Sequence, residues 1–275
     1  MSKVLKKIFS NKFIYILLFL IAAVFVYANM VISPKFPMYY AQYNQSIFYL
    51  IGKMMKAGKV PYVDMIDHKG IYLFLLHYLA EVICEYNHIG LYVVGLAFIF
   101  TTCVYIFKLL KLINKAFIND EPAVNVISLL ATLVFLVLQG LYIISYCTLQ
   151  CETFVVCGIV ISIYYFTKDV DNDCSFRYKN TLLYGIIFSF ILFIKANYTI
   201  ILGFIALYIV WNLIKNKDFK GIFKHLGFGI LGIIIGLLPG IVYSIYTNSL
   251  KEMFYYTFVV NAIYSNAPYF GLKTK

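Results

Sequence analysis

Apolar residues run along this chain in long blocks rather than in short alternations. Seven blocks approach or reach the roughly 20 residues that an α-helix needs to cross a bilayer. They are Phe13–Ile32, Ile89–Phe107, Ala123–Ile144, Thr153–Thr167, Thr181–Ile194, Tyr198–Ile214 and Leu226–Tyr246. A helix confined to the fifth would rise only about 21 Å. It must run past Lys195, end in a cavity, or meet a thinned bilayer. Residues 33–88 have a different grain. Asn44–Ala57 predicts a helix with Ile47, Phe48, Leu50, Ile51, Met54 and Met55 on its apolar side and Lys53 and Lys56 on the other. Gly58 and Pro61 end it. Lys69–Asn87 predicts a second, more apolar helix whose His77, Glu81, Glu85 and His88 share one face. Both read as interfacial helices on the outer leaflet, the second with a solvated polar stripe rather than a metal site. The expected fold is all-α. It is a single membrane domain over 1–275, with seven transmembrane helices, two interfacial helices in the outer loop 33–88, and an outer C-terminal tail at 248–275.

Composition supports a membrane class. Of 275 residues, 63% are hydrophobic and 13% charged, against about 45–50% and about 25% in soluble domains. Too few charges remain to coat a water-facing surface, so a soluble enzyme and a disordered chain are excluded. The net charge of +11 lies where the positive-inside rule places it. With the N-terminus inside, 14 of the 23 basic residues fall in the N-terminal tail and inner loops: Lys3 to Lys12, Lys108 to Lys115, Lys168 to Lys179 and Lys215 to Lys224. Arg177 is the single arginine, and nucleic-acid readers favour the arginine fork, so no nucleic acid is expected as partner. The N-terminus is expected in the cytoplasm and the C-terminus outside it. The lysine and isoleucine bias fits an AT-rich genome, hence a bacterial plasma membrane. Val26-Tyr27-Ala28 resembles a cleavage site, but the apolar run is longer than a signal peptide's, so an uncleaved anchor is expected.

The chemistry concentrates in Pro61–Gly70. Asp64, Asp67, His68 and Lys69 fall within six residues, a costly cluster to hold above a bilayer without purpose. The two acids read either as solvated partners of Lys59 or Lys69 or as functional groups. Glu152 opens a predicted helix, where the dipole favours it. Lys195 either snorkels to the headgroups or binds a phosphate. Asn44 is well placed as an N-cap. Six cysteines show no zinc-like pairing, and Cys147 and Cys151 sit near the outer face. The tail aromatics Tyr255, Tyr256, Phe258, Tyr264, Tyr269 and Phe270 read as interfacial anchors or as a stacking surface for a sugar.

The stretch Asn44-Gln45-Ser46 through Gly58-Lys59-Val60-Pro61-Tyr62-Val63-Asp64-Met65-Ile66-Asp67-His68-Lys69-Gly70 resembles the first outer loop of GT-C type membrane glycosyltransferases. The likeness is to the bacterial branch similar to protein-mannosyltransferase and aminoarabinose-transferase enzymes. Leu149-Gln150-Cys151-Glu152-Thr153-Phe154 is similar to their second outer loop, and Phe193-Ile194-Lys195-Ala196-Asn197 to the lysine-bearing turn after their fifth span. The resemblance implies transfer of a sugar from a polyprenyl-phosphate carrier to an acceptor at the outer face. It implies Asp64 or Asp67 as base or, if a divalent cation takes part, as its ligands. It implies Tyr62, His68, Lys69, Glu152, Lys195 and Asn197 as substrate-binding residues. Membrane lipids, the lipid-linked sugar and an acceptor are the expected partners.

Three departures accompany the likeness. Asn44 stands where relatives carry their usual candidate base, and Ile71 stands where they carry Pro. Relatives usually continue through several more helices after the seventh span, so the C-terminal half of the family is expected to be missing and a second membrane subunit could supply it. A non-catalytic subunit that binds the lipid carrier, a fragment or an inactive relative is the competing expectation. A transporter is a third. It would place ionisable or helix-breaking residues mid-membrane in repeated halves. Asp and Glu are absent from the middles of the seven blocks, and Gly232, Gly236, Pro239 and Gly240 have no counterpart in an earlier half.

Overall fold

The computed structural model describes residues 11–29, 34–35, 44–140 and 149–266. These are helical in α1 (Asn11–Asn29), α2 (Asn44–Lys56), α3 (Ile71–Ile83), α4 (Ile89–Lys115), α5 (Glu121–Gly140), α6 (Cys151–Asp171), α7 (Tyr178–Lys195), α8 (Ile200–Lys215), α9 (Phe219–Tyr246), α10 (Leu250–Phe254) and α11 (Asn261–Asn266). Tight 3₁₀ turns at Tyr86–His88 and Ala196–Thr199 join α3 to α4 and α7 to α8. A wide π-helical turn, Tyr255–Val260, joins α10 to α11. Among the described residues, six helical runs are long and apolar enough to cross a membrane: Lys12–Asn29, Tyr86–Lys115, Glu121–Gln139, Cys151–Asp171, Tyr178–Lys215 and Phe219–Tyr246. The protein therefore has the build of an all-α, multi-pass membrane protein.

The Tyr178–Lys215 run is not one rod. Tyr208 Oη lies 3.9 Å from Cys174 Sγ, and its ring meets Phe166 and Phe176. A straight helix would carry Tyr208 about 45 Å from Tyr178. The run instead folds back at Ala196–Thr199, so α8 returns antiparallel to α7. The short fifth block accordingly ends at its turn rather than continuing past Lys195. Ring contacts fix the other directions. Phe19 on Phe100 and Tyr15 on Phe107 make α1 and α4 antiparallel. Phe98 on Phe154 and Tyr105 on Tyr165 make α4 and α6 parallel. The lysine-rich segments around Lys108–Lys115, Lys168–Lys179 and Lys215–Lys224 thus share one end of the bundle. The turns into α4, α6 and α8 share the other.

Helices α7 and α9 make the tightest seam. A Cβ on Gly185 would stand 2.3 Å from Gly229 O, and one on Gly232 would stand 2.1 Å from Leu182 O. Such small-residue contacts let backbones approach where apolar burial supplies little drive in lipid. Ser189 Oγ adds a bond across the seam, donating to Ile233 O at 2.9 Å.

The outer-loop helices α2 and α3 run side by side in the same direction. Phe48 packs on Phe74, and Lys56 Nζ reaches Glu81 O at 3.0 Å and Glu85 Oε2 at 2.7 Å. One expectation is overturned here. The polar line of α3 is not solvated: His77, Glu81 and His88 are buried, and only Glu85 is exposed. The exposed side carries Leu79, Val82 and Ile83. Helix α3 turns its polar face to α2 and the bundle, where the lysines of α2 wait, and its apolar face outward. His77 donates through Nδ1 to Leu73 O at 2.8 Å, with Phe48 and Phe154 around its ring. Full burial pulls its pKa down to about 4.

Candidate functional site

The turn between α2 and α3 is built by its own acids. Gly58, at φ +85°, ends α2. Asp64 then accepts from Val60 N at 2.8 Å, and Asp67 accepts from Lys69 N at 2.8 Å. Both are local side-chain-to-backbone closures of the kind Asp makes in turns. Inside the first closure Tyr62 sits at φ +68°, an uncommon conformation for a residue with a side chain. Tertiary contacts hold it there. Its hydroxyl donates to Lys69 O at 2.7 Å, and its buried ring stacks on Tyr256, 6.2 Å between centroids. Burial raises the Tyr62 pKa, so the phenol remains a donor.

Two contacts dock this turn on the bundle. At Gly70 the chain passes so close to α7 that a Cβ would stand 2.0 Å from Phe193 O. Backbone cannot yield that much, so only glycine fits. Two residues on, the Tyr72 hydroxyl enters α9. It donates to Gly236 O and accepts from Gly240 N. That pair would ordinarily bond to each other as i and i−4. Pro239, inside α9, has no N–H for the neighbouring rung, and the phenol adds a donor and an acceptor beside it.

These contacts close a cleft of about 340 Å³. One wall is His68, Lys69 and Gly70; the second is Leu192, Ile194, Lys195, Ala196 and Asn197; the third is Thr257, Phe258, Asn261 and Ala262. Helix α7 loses regular geometry at Phe193 and ends with Lys195 extended (φ −158°), which throws the lysine sideways into the cleft. Lys195 Nζ bonds Glu152 Oε1 at 2.7 Å and lies 5.2 Å from the centre of the Tyr198 ring. Each partner of the Lys195–Glu152 pair keeps 33% of its side chain exposed, so an entering anion can compete for the ammonium. Lys69 Nζ lies against His68 Nε2. Burial first, then the Lys69 charge, lowers the His68 pKa against the opposing pull of Asp67. A neutral imidazole accepting from the ammonium is the resulting state. Lys69 and Lys195 line the same cleft from two walls.

The candidate residues divide accordingly. His68, Lys69, Lys195 and Asn197 line the cleft, and Glu152 reaches it through Lys195. Asp67 joins through Lys69 and His68 without lining it. Asp64 is exposed and Tyr62 buried; both shape the turn. Asn44 opens α2, and its side chain lies outside the described residues, as does Cys147. Cys84, Cys103, Cys151, Cys157 and Cys174 are free thiols. Among the described residues no three His, Cys, Asp or Glu side chains group as metal ligands. Sequence reasoning missed Leu192, Thr257, Asn261 and Ala262; it quoted Gly70 and Ile194 within motifs and Phe258 among the tail aromatics, without assigning them to one cleft. The available signal for the third wall was Thr257 and Asn261, polar residues four apart in an aromatic tail. The arrangement can hold a small anion between two ammonium groups while apolar side chains face what is attached to it. No protein-family model, curated protein or solved structure matches this chain.

Proposed function

We propose that this protein is a polyprenyl-phosphate-dependent glycosyltransferase module of the GT-C kind, working at the extracytoplasmic face of a bacterial plasma membrane. Helices α1, α4, α5, α6, α7, α8 and α9 make seven crossings, and α2 and α3 lie in the interface. The N-terminus is cytoplasmic and the C-terminus outside. The single observation that carries the reading is the meeting of Lys69 with the Glu152–Lys195 pair in one cleft, at the bundle end away from the lysine-rich loops. Two cations at headgroup depth suit a lipid phosphate. Leu192, Ile194 and Phe258 offer its prenyl chain an apolar wall. The phosphate takes Lys195 from Glu152, and the released carboxylate is then placed to accept the acceptor's hydroxyl proton. Asp64 and Asp67 hold the turn that brings Lys69 and His68 into place. Should a divalent cation take part, Asp67 is nearer the cleft than Asp64 by its bonds to Lys69 and His68.

The test uses the full chain in lipid nanodiscs and undecaprenyl phosphate as probe. Lys69→Ala and Lys195→Ala each weaken binding about 10- to 100-fold, the range of one charge-assisted hydrogen bond. Wild-type affinity in both variants would end the reading. Asn44, an amide at the family's acid position, favours a second reading, a non-catalytic subunit that binds the carrier. Sugar transfer from undecaprenyl-phosphate glucose, mannose or N-acetylglucosamine separates the two. An enzyme transfers and loses transfer on Glu152→Gln; a subunit binds without transferring.

A further inference from the structure

The end of the bundle away from the cleft holds a cation that no acid answers. Lys108 stands about 28 Å along α4 from the turn that opens it, close to the thickness of a bilayer's hydrocarbon core. That length puts its ammonium at the headgroup level of the leaflet on the lysine-rich side. All 12 acids of the chain fall within the described residues. At this end Glu121 goes to Lys111 and Lys115, and Asp169 goes to Arg177. None of the 12 pairs with Lys108.

Tyrosines gather around that ammonium. Lys108 Nζ is 4.7 Å from the centre of the Tyr105 ring and 5.9 Å from that of Tyr15 on α1. Tyr164 of α6 packs on Tyr105, 5.5 Å between centroids, and Lys168 Nζ lies 6.0 Å from the Tyr164 ring. Rings from three helices thus cluster beside one lysine. Their faces stabilise an ammonium without cancelling its charge. Their hydroxyls are available as donors. Among the described residues, the Tyr15 and Tyr164 hydroxyls make no hydrogen bond. Tyr105 Oη and Tyr165 Oη stand 3.3 Å apart; one donates to the other, whose own proton is left for an outside acceptor. Lys108, Tyr15, Tyr105 and Tyr164 are each half-buried, so the cluster is packed yet open at its edge. Toward mid-membrane, α1 exposes Ile16, Phe19 and Leu20, an apolar face for lipid tails.

We propose that Lys108, Tyr15, Tyr105 and Tyr164 bind the headgroup phosphate of an anionic phospholipid in the leaflet on the lysine-rich side. Each polar group here can donate and none is anionic, which suits a phosphodiester. The ammonium supplies the charge and the phenols fix the position. A zwitterionic headgroup such as phosphatidylcholine brings its own cation, which Lys108 repels and which finds the Tyr105 and Tyr15 faces already taken. Lys168, on the far side of Tyr164, adds to the field that favours a net negative headgroup. The site lies at the opposite end of the bundle from the Lys69–Lys195 cleft and does not depend on it.

The experiment reads lipid binding to the full chain by native mass spectrometry in detergent. The probes are phosphatidylglycerol and phosphatidylcholine with the same acyl chains. The wild type binds phosphatidylglycerol more tightly. Lys108→Gln lowers that affinity about 10- to 100-fold, one charge-assisted hydrogen bond, and leaves phosphatidylcholine binding unmoved. Lys108→Arg keeps the charge and keeps the preference. Tyr15→Phe and Tyr164→Phe retain the rings and each lower the affinity about 2- to 10-fold, one neutral hydrogen bond. These two decide the matter should Lys108→Gln fail to fold. Lys220→Gln removes an exposed charge at the same end and leaves the affinity unchanged. Equal binding of the two lipids by the wild type overturns the inference. So does an equal loss in Lys108→Gln and Lys220→Gln, the mark of diffuse attraction to a basic end, and so does full affinity in both phenylalanine variants. Displacement of phosphatidylglycerol by soluble glycerol phosphate would make the ligand a free phosphate ester and overturn its assignment to a lipid.

Discussion

The two ends of the bundle treat charge in opposite ways. At the lysine-rich end the acids are paired with bases. Asp169 is 2% exposed and takes Arg177 Nε at 3.0 Å, Arg177 N at 3.3 Å and Asn180 Nδ2 at 2.6 Å. Glu121 takes Lys111 at 3.2 Å and Lys115 at 3.7 Å. His225 meets Thr181 at 2.7 Å under the Tyr178 ring. These groups close the α6–α7, α4–α5 and α7–α9 connections. At the cleft end Asp64 and Asp67 bond backbone, Glu152 bonds a single lysine, and Lys69 and Lys195 line one cavity. The first end uses its charges to close connections between helices; the second places them beside a cavity.

Substitutions can break this contrast from either side. The largest effect is expected from Gly70→Ala, whose methyl would stand 2.0 Å from Phe193 O. The loop turn must lift from α7, the cleft opens, and binding of undecaprenyl phosphate falls below detection, although the bundle still melts cooperatively. Next comes Asp169→Ala. It strips a buried acid from Arg177 and Asn180 and costs about 3 kcal/mol, the low end for a broken buried pair because Arg177 is partly exposed. Thermal unfolding in detergent should show the loss while lipid binding at the far end persists.

The pH dependence follows in size. His77 binds its proton less readily in the folded chain, with a pKa near 4, than in the unfolded one, near 6.5. Its contribution is fully present above about pH 6.5 and is lost as pH falls toward 4, about 2 kcal/mol between pH 7 and pH 5. His77→Leu should flatten that part of a melting profile taken over the same range. The smallest effect sharpens the contrast among glycines. Gly203 and Gly227 have open space where a Cβ would go. Alanine at either should stabilise its helix by about 0.5–1 kcal/mol, read as a small rise in melting temperature with lipid binding unaltered.

Much of this was legible in the chain. Hydropathy gave the long helices because twenty apolar residues have few alternatives in lipid. Gly58 and Pro61 marked the end of α2 by backbone chemistry alone. Lys195 stood out as a charge at the end of an apolar block too short to cross. What stayed hidden were facts of tertiary approach. Nothing local to His77, Glu81 and His88 says whether a polar stripe meets water or a neighbouring helix. Gly70 could be read as part of a motif, but its contact with Phe193 needs two segments 123 residues apart to meet. The third wall escaped because Thr257 and Asn261 are ordinary in sequence and informative only once burial is known.

The Tyr72 hydroxyl between Gly236 and Gly240 of α9 has a bearing on how the molecule is born. Its partners stand 164 and 168 residues downstream. A ribosome adding about 5–20 residues per second needs roughly 10–30 s to reach them. Until then the early loop has no anchorage on its final neighbour. An early loop is thus fastened late, only after α9 has been made.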